Sequence, residues 1–565
     1  MSSSPIRVPS NTHPSRLPPN YGSLYPASSD QHNHQQDHYV SDASPRSFRD
    51  AVESFAGSYS RASILYVAEN LNAPAGSIHE DTLSSEHRAM DEEERGRMSE
   101  DSKYSRPPIF DEASLNRTLS QRTAAGNNYH LFPSLSRHTT VASVLSQQIL
   151  QHYEDTGGAA QGSTGAPLKS TFLQSVFNAV NVLIGIGILA LPLAFRCGGW
   201  LFGSLIFFFC AAGTNYTAKI IVRCLDASSG AATYGDMGAA AFNESGRTLV
   251  SGFFIVELMT IGIAMVVLLG DGIQSFWPNV DLVTVRIFSF CALTPTMFLP
   301  MRKLALTSLV GILACICLLV TVLFDGFSKK TQPGSLLEPM ETEIVPSDWY
   351  NVPLAFGLVM AGFSGHAVFP SIYRDMDDPK QYERMVDIAY LVTAGAYITM
   401  AVAGYLMFGL ETMQEITQNL ANTPGYYKIV TQFGIGLMVL TPLAKYGLML
   451  NPVNLSLELS LLTKFEDWIR FHAWRKHLIT ASIRIIVSLV IVYTATVFPG
   501  FDRVVSLLGA LFSFGISAIF PLLCYRRLFA DSITWKESIL NNLILLISTF
   551  MAVLGTIWSF LPNNI

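Results

Sequence analysis

Charge is scarce in this chain. Asp, Glu, Lys and Arg supply 14% of its 565 residues against 49% for the apolar types, a balance too apolar for a water-soluble protein of this length. The net charge of −6 says little, because the charge lies mostly in tails and loops. None of the seven cysteines has metal-ligand spacing, and Cys315-Ile316-Cys317 is too close for zinc, so neither a metal site nor a disulfide framework is expected. A Walker phosphate loop, HExxH and GxSxG are also missing, which excludes ATP-driven pumping and hydrolysis of those types. An enzyme, a cofactor and a nucleic-acid partner are therefore not expected. Transport, if it occurs, must draw on an ion gradient or be passive.

Apolar runs are missing from residues 1–168, which are rich in Ser, Pro, His, Gln and charge and carry an acidic run at Asp91-Glu92-Glu93-Glu94. With no periodic apolar face, this segment reads as a disordered tail. Met1 to Val40 offers no signal-peptide core, so the tail is expected to stay cytosolic. Ser and Thr beside Arg117 and Arg137 suit kinases, and Tyr129-His130-Leu131-Phe132 fits a sorting signal for trafficking adaptors.

After Leu168 the picture reverses. Eleven apolar segments follow, at about 171–195, 199–223, 248–270, 283–300, 304–326, 351–373, 385–410, 427–450, 478–498, 502–525 and 538–560. Runs of roughly 20 apolar residues are what bilayer-spanning helices require, so the class expected is an all-α integral membrane protein embedded in lipid. With the N-terminus cytosolic, fifteen Lys and Arg fall in the short cytosolic loops and six on the opposite side. That bias agrees with the positive-inside rule and places the C-terminus across the membrane. The sequons at Asn116, Asn215, Asn243 and Asn454 then lie on the cytosolic side or in a span, and no N-glycan is expected at any of them.

Two segments are interrupted. Thr171 to Phe195 carries Gly185-Ile186-Gly187 at its middle and Pro192 near its end; Val359 to Tyr373 carries Gly362 and Gly365, then Pro370. Glycine costs about 1 kcal/mol in a helix interior, and proline removes a backbone donor. In lipid such breaks are tolerated where the freed groups meet protein, water or ligand, so a substrate site is expected between them; close helix packing is the alternative. The interrupted segments are the first and the sixth, and five intervening steps invert the second relative to the first. This predicts a five-plus-five inverted repeat over about 171–326 and 351–525, with 538–560 as an extra helix.

The first break exposes amides around Gly185, Ile186 and Gly187 at a positive helix end, suited to a carboxylate. The sixth offers carbonyls around Gly362, Phe363, Ser364 and Gly365, suited to an ammonium group. A zwitterion matching both is an α-amino acid. Asn178 and Asn181 share one face of the first segment and serve either the substrate or helix packing. Four ionisable residues sit inside spans, where each costs about 2.5–3.5 kcal/mol on insertion scales. Glu257 is a proton carrier or the fixed partner of a cation, and His366 a proton relay or a hydrogen-bonded core histidine. Lys445 is a permanent charge where sodium would otherwise sit, which argues for protons; Arg484 completes the set. Arg286 lies near a helix end and is expected to snorkel.

Phe177-Asn178-Ala179-Val180-Asn181-Val182-Leu183-Ile184-Gly185-Ile186-Gly187-Ile188-Leu189-Ala190-Leu191-Pro192 resembles the first-helix signature of the amino acid/auxin permeases. Within them it is similar to the fungal vacuolar neutral amino acid transporters related to the vesicular inhibitory amino acid transporter. Tyr234-Gly235-Asp236-Met237-Gly238, the run from Phe363 to Tyr373, and Phe498-Pro499-Gly500-Phe501-Asp502 strengthen the match, which covers about 169–559. The resemblance implies a LeuT-like inverted-repeat fold. It also implies antiport of neutral amino acids against protons into the vacuole lumen, with the tail facing the cytosol. Carried over residue by residue, it assigns Gly185 to Gly187 to the carboxylate and Phe363 to Gly365 to the amine. Two other readings stay open: a proton symporter that exports amino acids from the vacuole, and an amino acid sensor signalling through the tail.

Overall fold

A computed structural model describes residues 169–228, 231, 233–299, 301–464, 473–498 and 500–561. The tail at 1–168, with its kinase and sorting motifs, lies outside them. In chain order the helices are α1 (Phe172–Leu183), α2 (Leu191–Ala227), α3 (Tyr234–Phe276), α4 (Leu282–Leu293), α5 (Met301–Ser328), α6 (Val352–Gly362), α7 (Phe369–Asp375) and α8 (Tyr382–Phe408). Then come α9 (Ile416–Asn422), α10 (Lys428–Lys464), α11 (Ala473–Val497), α12 (Phe501–Leu507), α13 (Phe520–Leu528) and α14 (Trp535–Phe560). Among the described residues no strand forms, and one parallel bridge joins Ser170 to Met376. Nine helices there are long and apolar enough to cross a membrane, and Phe172–Leu183 and Leu282–Phe298 are shorter apolar ones. The described residues are thus all-helical, and the protein is a multi-pass membrane protein.

Local chemistry sets the ends. Thr171 caps α1 through a capping box: Gln174 N donates to Thr171 Oγ1 at 3.4 Å, and Thr171 N to Gln174 Oε1 at 2.9 Å. Within α2, Gly199 adopts φ 62°, a conformation that favours glycine, and bends the chain between the first and second expected segments. The loop after α5 fills that bend, with Trp200 N donating to Glu343 O at 3.0 Å and Leu201 N to Ile344 O at 2.9 Å. The third helix starts earlier than its apolar run indicates. Thr233 and Asp236 form a second capping box, and a kink at Phe242 and Asn243 joins this polar prelude to the apolar part.

At the centre of the bundle, α6 packs against α2, α12 and α14, and α10 against α5 and α3. Small residues permit this. A Cβ on Gly509 would collide with the backbone of Gly357, and one on Gly357 with the backbone of Ser506. Two charges inside helices are tied down rather than free. Arg484 pairs with Glu458 at 2.7 Å and donates to Met297 O at 2.6 Å. Arg286 does not snorkel: it is 4% exposed and donates to Val266 O at 3.0 Å. Gly270 makes the room, since a Cβ there would stand 2.6 Å from Arg286 Nη1.

Gly199→Ala tests the bend. Its φ disfavours any L side chain by roughly 1–3 kcal/mol, and its Cβ would stand 2.9 Å from Ile344 O. A lower melting temperature of the purified protein is expected, and an unchanged one would contradict it.

Candidate functional site

The first helix leaves its regular path at Ile184 (φ −74°, ψ 99°) and Gly185 (φ −127°, ψ −159°), then resumes through a 3-10 turn, Ile186–Ala190, into α2. The sixth stops at Gly362, passes through Phe363 and Gly365 (φ 139°), and resumes through His366–Val368 into α7. Pro192 and Pro370 each stand second in the helix that follows, where a missing amide hydrogen costs nothing.

The two breaks touch. A Cβ on Gly187 would lie 2.9 Å from Gly362 N, and one on Gly365 would lie 2.6 Å from Val182 Cγ1. Gly185 differs, because the nearest atom to its Cβ position is Leu183 O at 4.0 Å, an ordinary contact that leaves room for a methyl group. Neighbouring helices answer the freed backbone groups of the first break. Tyr397 of α8 donates its hydroxyl to Leu183 O at 2.7 Å and accepts from Gly185 N at 3.4 Å. Lys445 of α10, 3% exposed, donates to Ile184 O at 3.4 Å and lays its stem over Gly311. An ammonium at the carboxyl end of a half-helix is favoured by the dipole there.

Beside the breaks is a cavity of about 100 Å³, bordered by Val182, Glu257, Ser364, Gly365, His366 and Met449 among others. Four of the sequence-derived site residues therefore meet: Glu257, Ser364, Gly365 and His366. Glu257 is 6% exposed, and among the described residues it makes no hydrogen bond or ion pair. His366 is fully buried, with Nε2 2.9 Å from Thr214 O and 3.0 Å from Thr217 Oγ1. A carbonyl only accepts, so Nε2 carries the hydrogen; Nδ1 has no partner. Thr217 in turn donates to Ser517 O at 2.6 Å, so His366 also braces α2 against the wide turns after α12.

The other expected site residues stand apart from this cavity. Gly185, Ile186 and Gly187 lie at the neighbouring break, and Lys445 behind it. Asn178 and Asn181 are buried in α1. Phe363 belongs to an aromatic cluster, with ring centres 5.4 Å from Phe207, 5.6 Å from Tyr397 and 6.2 Å from Tyr390. Sequence reasoning missed Tyr397, Thr214 and Thr217. Nothing local marks a tyrosine in α8 as the partner of a break 212 residues earlier.

Two interrupted helices in contact at their breaks, beside a cavity holding an unpaired acid, inside a multi-pass helical bundle, are the architecture of a membrane transporter. The family model described as "Transmembrane amino acid transporter protein" matches residues 168–561, and the chain belongs to that family. "Amino acid transporter AVT1I" of Arabidopsis thaliana is 30% identical over 410 residues, covering 69% of this chain and 94% of that relative. "Amino acid transporter AVT1B" of the same plant is 29% identical over 435 residues, 75% of each chain. Among solved structures, MhsT in complex with L-phenylalanine aligns at 10% identity with a TM-score of 0.43, over 70% of this chain and 100% of that one.

The glycines of the first break give opposite expectations. Gly187→Ala forces the crossing helices apart and should lower the melting temperature of the purified protein, whereas Gly185→Ala meets no atom closer than 4.0 Å at an allowed φ and should leave it unchanged. Thermal melts of both variants decide; equal losses would contradict the crossing.

Proposed function

We propose that the protein exchanges protons for neutral amino acids across the vacuolar membrane, loading the lumen by alternating access about the two broken helices. The observation that carries the reading is Glu257, a buried carboxyl on the cavity wall with no paired cation. A group that can be neutral or charged beside the substrate gives one place for a proton and a reason for its binding to affect the substrate. Lys445 supports the same reading, because its fixed ammonium at Ile184 O leaves no need for a sodium ion there. The cavity, about 100 Å³, is small beside pockets of roughly 300–1,000 Å³. We read it as a closed stage of the cycle that enlarges to admit substrate.

In this scheme the substrate carboxylate takes the room beside Gly185 as the cavity enlarges, with the amides of Ile186 and Gly187. The ammonium takes Ser364 and the carbonyls before Gly365. Asn178 and Asn181 hold the half-helix that carries the first subsite, and His366 holds the second against α2. The vacuolar assignment and the import direction rest on the resemblance of residues 177–192. The tail at 1–168 is then cytosolic and open to kinases and trafficking adaptors, and the C-terminus is lumenal.

Purified protein in proteoliposomes with an imposed pH gradient tests the scheme. Uptake of a neutral amino acid is expected when the vesicle interior is acidic. Uptake only under the reverse gradient would identify a symporting exporter instead, and binding without flux under either would identify a sensor. Glu257→Gln should abolish gradient-driven uptake yet keep substrate-for-substrate exchange, and gradient-driven uptake by this variant would remove Glu257 from the proton path.

A further inference from the structure

A second acidic contact lies at the end of α3, and transport as read above makes no use of it. Asp271 occupies the last two turns of α3, and Glu415 immediately precedes α9. Gln418, three residues past Glu415, bonds to Asp271 and with the packing of α9 on α3 brings the two carboxyl groups together as interacting partners. Two ionised carboxylates are acceptors only, so this contact lacks a hydrogen. Glu415 is fully buried; Thr417 Oγ1 donates to its Oε2 at 2.9 Å, while its Oε1 meets no donor. On the other side, Gln418 Nε2 donates to Asp271 Oδ2 at 3.0 Å. The charged groups that face the pair from the packed elements are Arg286 of α4, attractive to Asp271, and Asp502 of α12, repulsive to it. Arg286 already serves Val266 O, and one cation offsets one carboxylate rather than two. Burial, and after it the negative charge of Asp271, hold the Glu415 carboxyl well above the usual carboxylate range.

The position of α9 gives the contact a consequence. This short helix packs on α3, on α10 and on the 3-10 turn that follows the first break. Arg196 donates to Thr412 O at 2.7 Å just ahead of it, and Ile416 fills the space beside Gly404. It covers one end of the first broken helix.

We propose that Asp271 and Glu415 form a proton-binding site whose shared hydrogen bond clasps α9 to the end of α3, so that proton binding closes this end of the bundle over the first break. The clasped state holds one proton more than the released one. It is therefore favoured at low pH and lost as pH rises through the titration of the pair, because the second ionisation sets two buried negative charges against each other. The clasp does not require the antiport direction argued above.

Hydrogen–deuterium exchange of segment 412–422 in the full-length protein in lipid nanodiscs, from pH 5 to pH 8 and corrected for intrinsic exchange, reads the clasp directly. Protection should fall by about tenfold per pH unit above the titration, as the binding of one proton requires, while a reference segment in α5 stays level. Glu415→Gln should keep the segment protected throughout, since its amide carries a permanent hydrogen for Asp271. Should that variant not fold, Asp271→Asn makes the same prediction with donor and acceptor exchanged. A flat wild-type profile, a parallel change in α5, or an amide variant with the wild-type slope would each overturn the clasp. The measurement contains no flux, so failed proton-driven transport and a failed clasp are told apart.

Discussion

A backbone that leaves its helix inside a membrane must find partners for the groups it frees, and here that requirement organises the centre of the molecule. The first helix ends at Leu183, and its last carbonyls would be unsatisfied in lipid. Tyr397 and Lys445, from helices far along the chain, reach Leu183 O, Gly185 N and Ile184 O. The break is therefore a junction of α1, α8 and α10 rather than a defect in α1. An unmet buried carbonyl costs on the order of 1–3 kcal/mol, so the junction holds those helices in place as much as it keeps the break.

Close approach is the second constraint, and it follows from the first. Two interrupted helices can share one site only if their backbones nearly touch, and Gly187 against Gly362 provides that contact. Gly365 plays a matching part toward Val182, with a φ that no other residue takes easily. Gly185 is left with room beside it. Glycine thus has three separate jobs within one site: crossing, turning and leaving space. Only the third leaves room for a ligand.

Much of this was legible from residues in order. The paired offsets Gly187 to Pro192 and Gly365 to Pro370 locate both breaks, because proline suits the first turn of the resumed helix and glycine alone tolerates the crossing. Glu257 and His366 stood out as costly residues in apolar runs, and both line the cavity. What could not be read was partnership across the chain. Arg286 sits near a helix end in sequence, yet the absent side chain of Gly270 on the adjacent helix draws it inward. Tyr397 carries no charge and interrupts no period, so nothing in its own segment distinguishes it from a packing residue. Phe363 is expected at the site through its backbone carbonyl, and its sequence does not tell that its ring joins an aromatic cluster with Phe207 and Tyr397.

The charges inside the bundle now sort by what they face. Arg484 has Glu458, Arg286 has a carbonyl and the Asp271 charge, and Lys445 has a carbonyl at a helix end. Each of these cations is held by fixed groups, and moving any one would strand a buried charge. Glu257 has no such partner among the described residues, and Asp271 and Glu415 share the attraction of Arg286 for Asp271 alone. Fixed charges can shape a site but cannot respond to a gradient, whereas a carboxyl that changes its proton changes its charge. On the reading proposed above, two acidic positions are therefore where this bundle couples its conformation to pH: Glu257 on the cavity wall, and the Asp271 and Glu415 pair where the short helix α9 meets the end of α3.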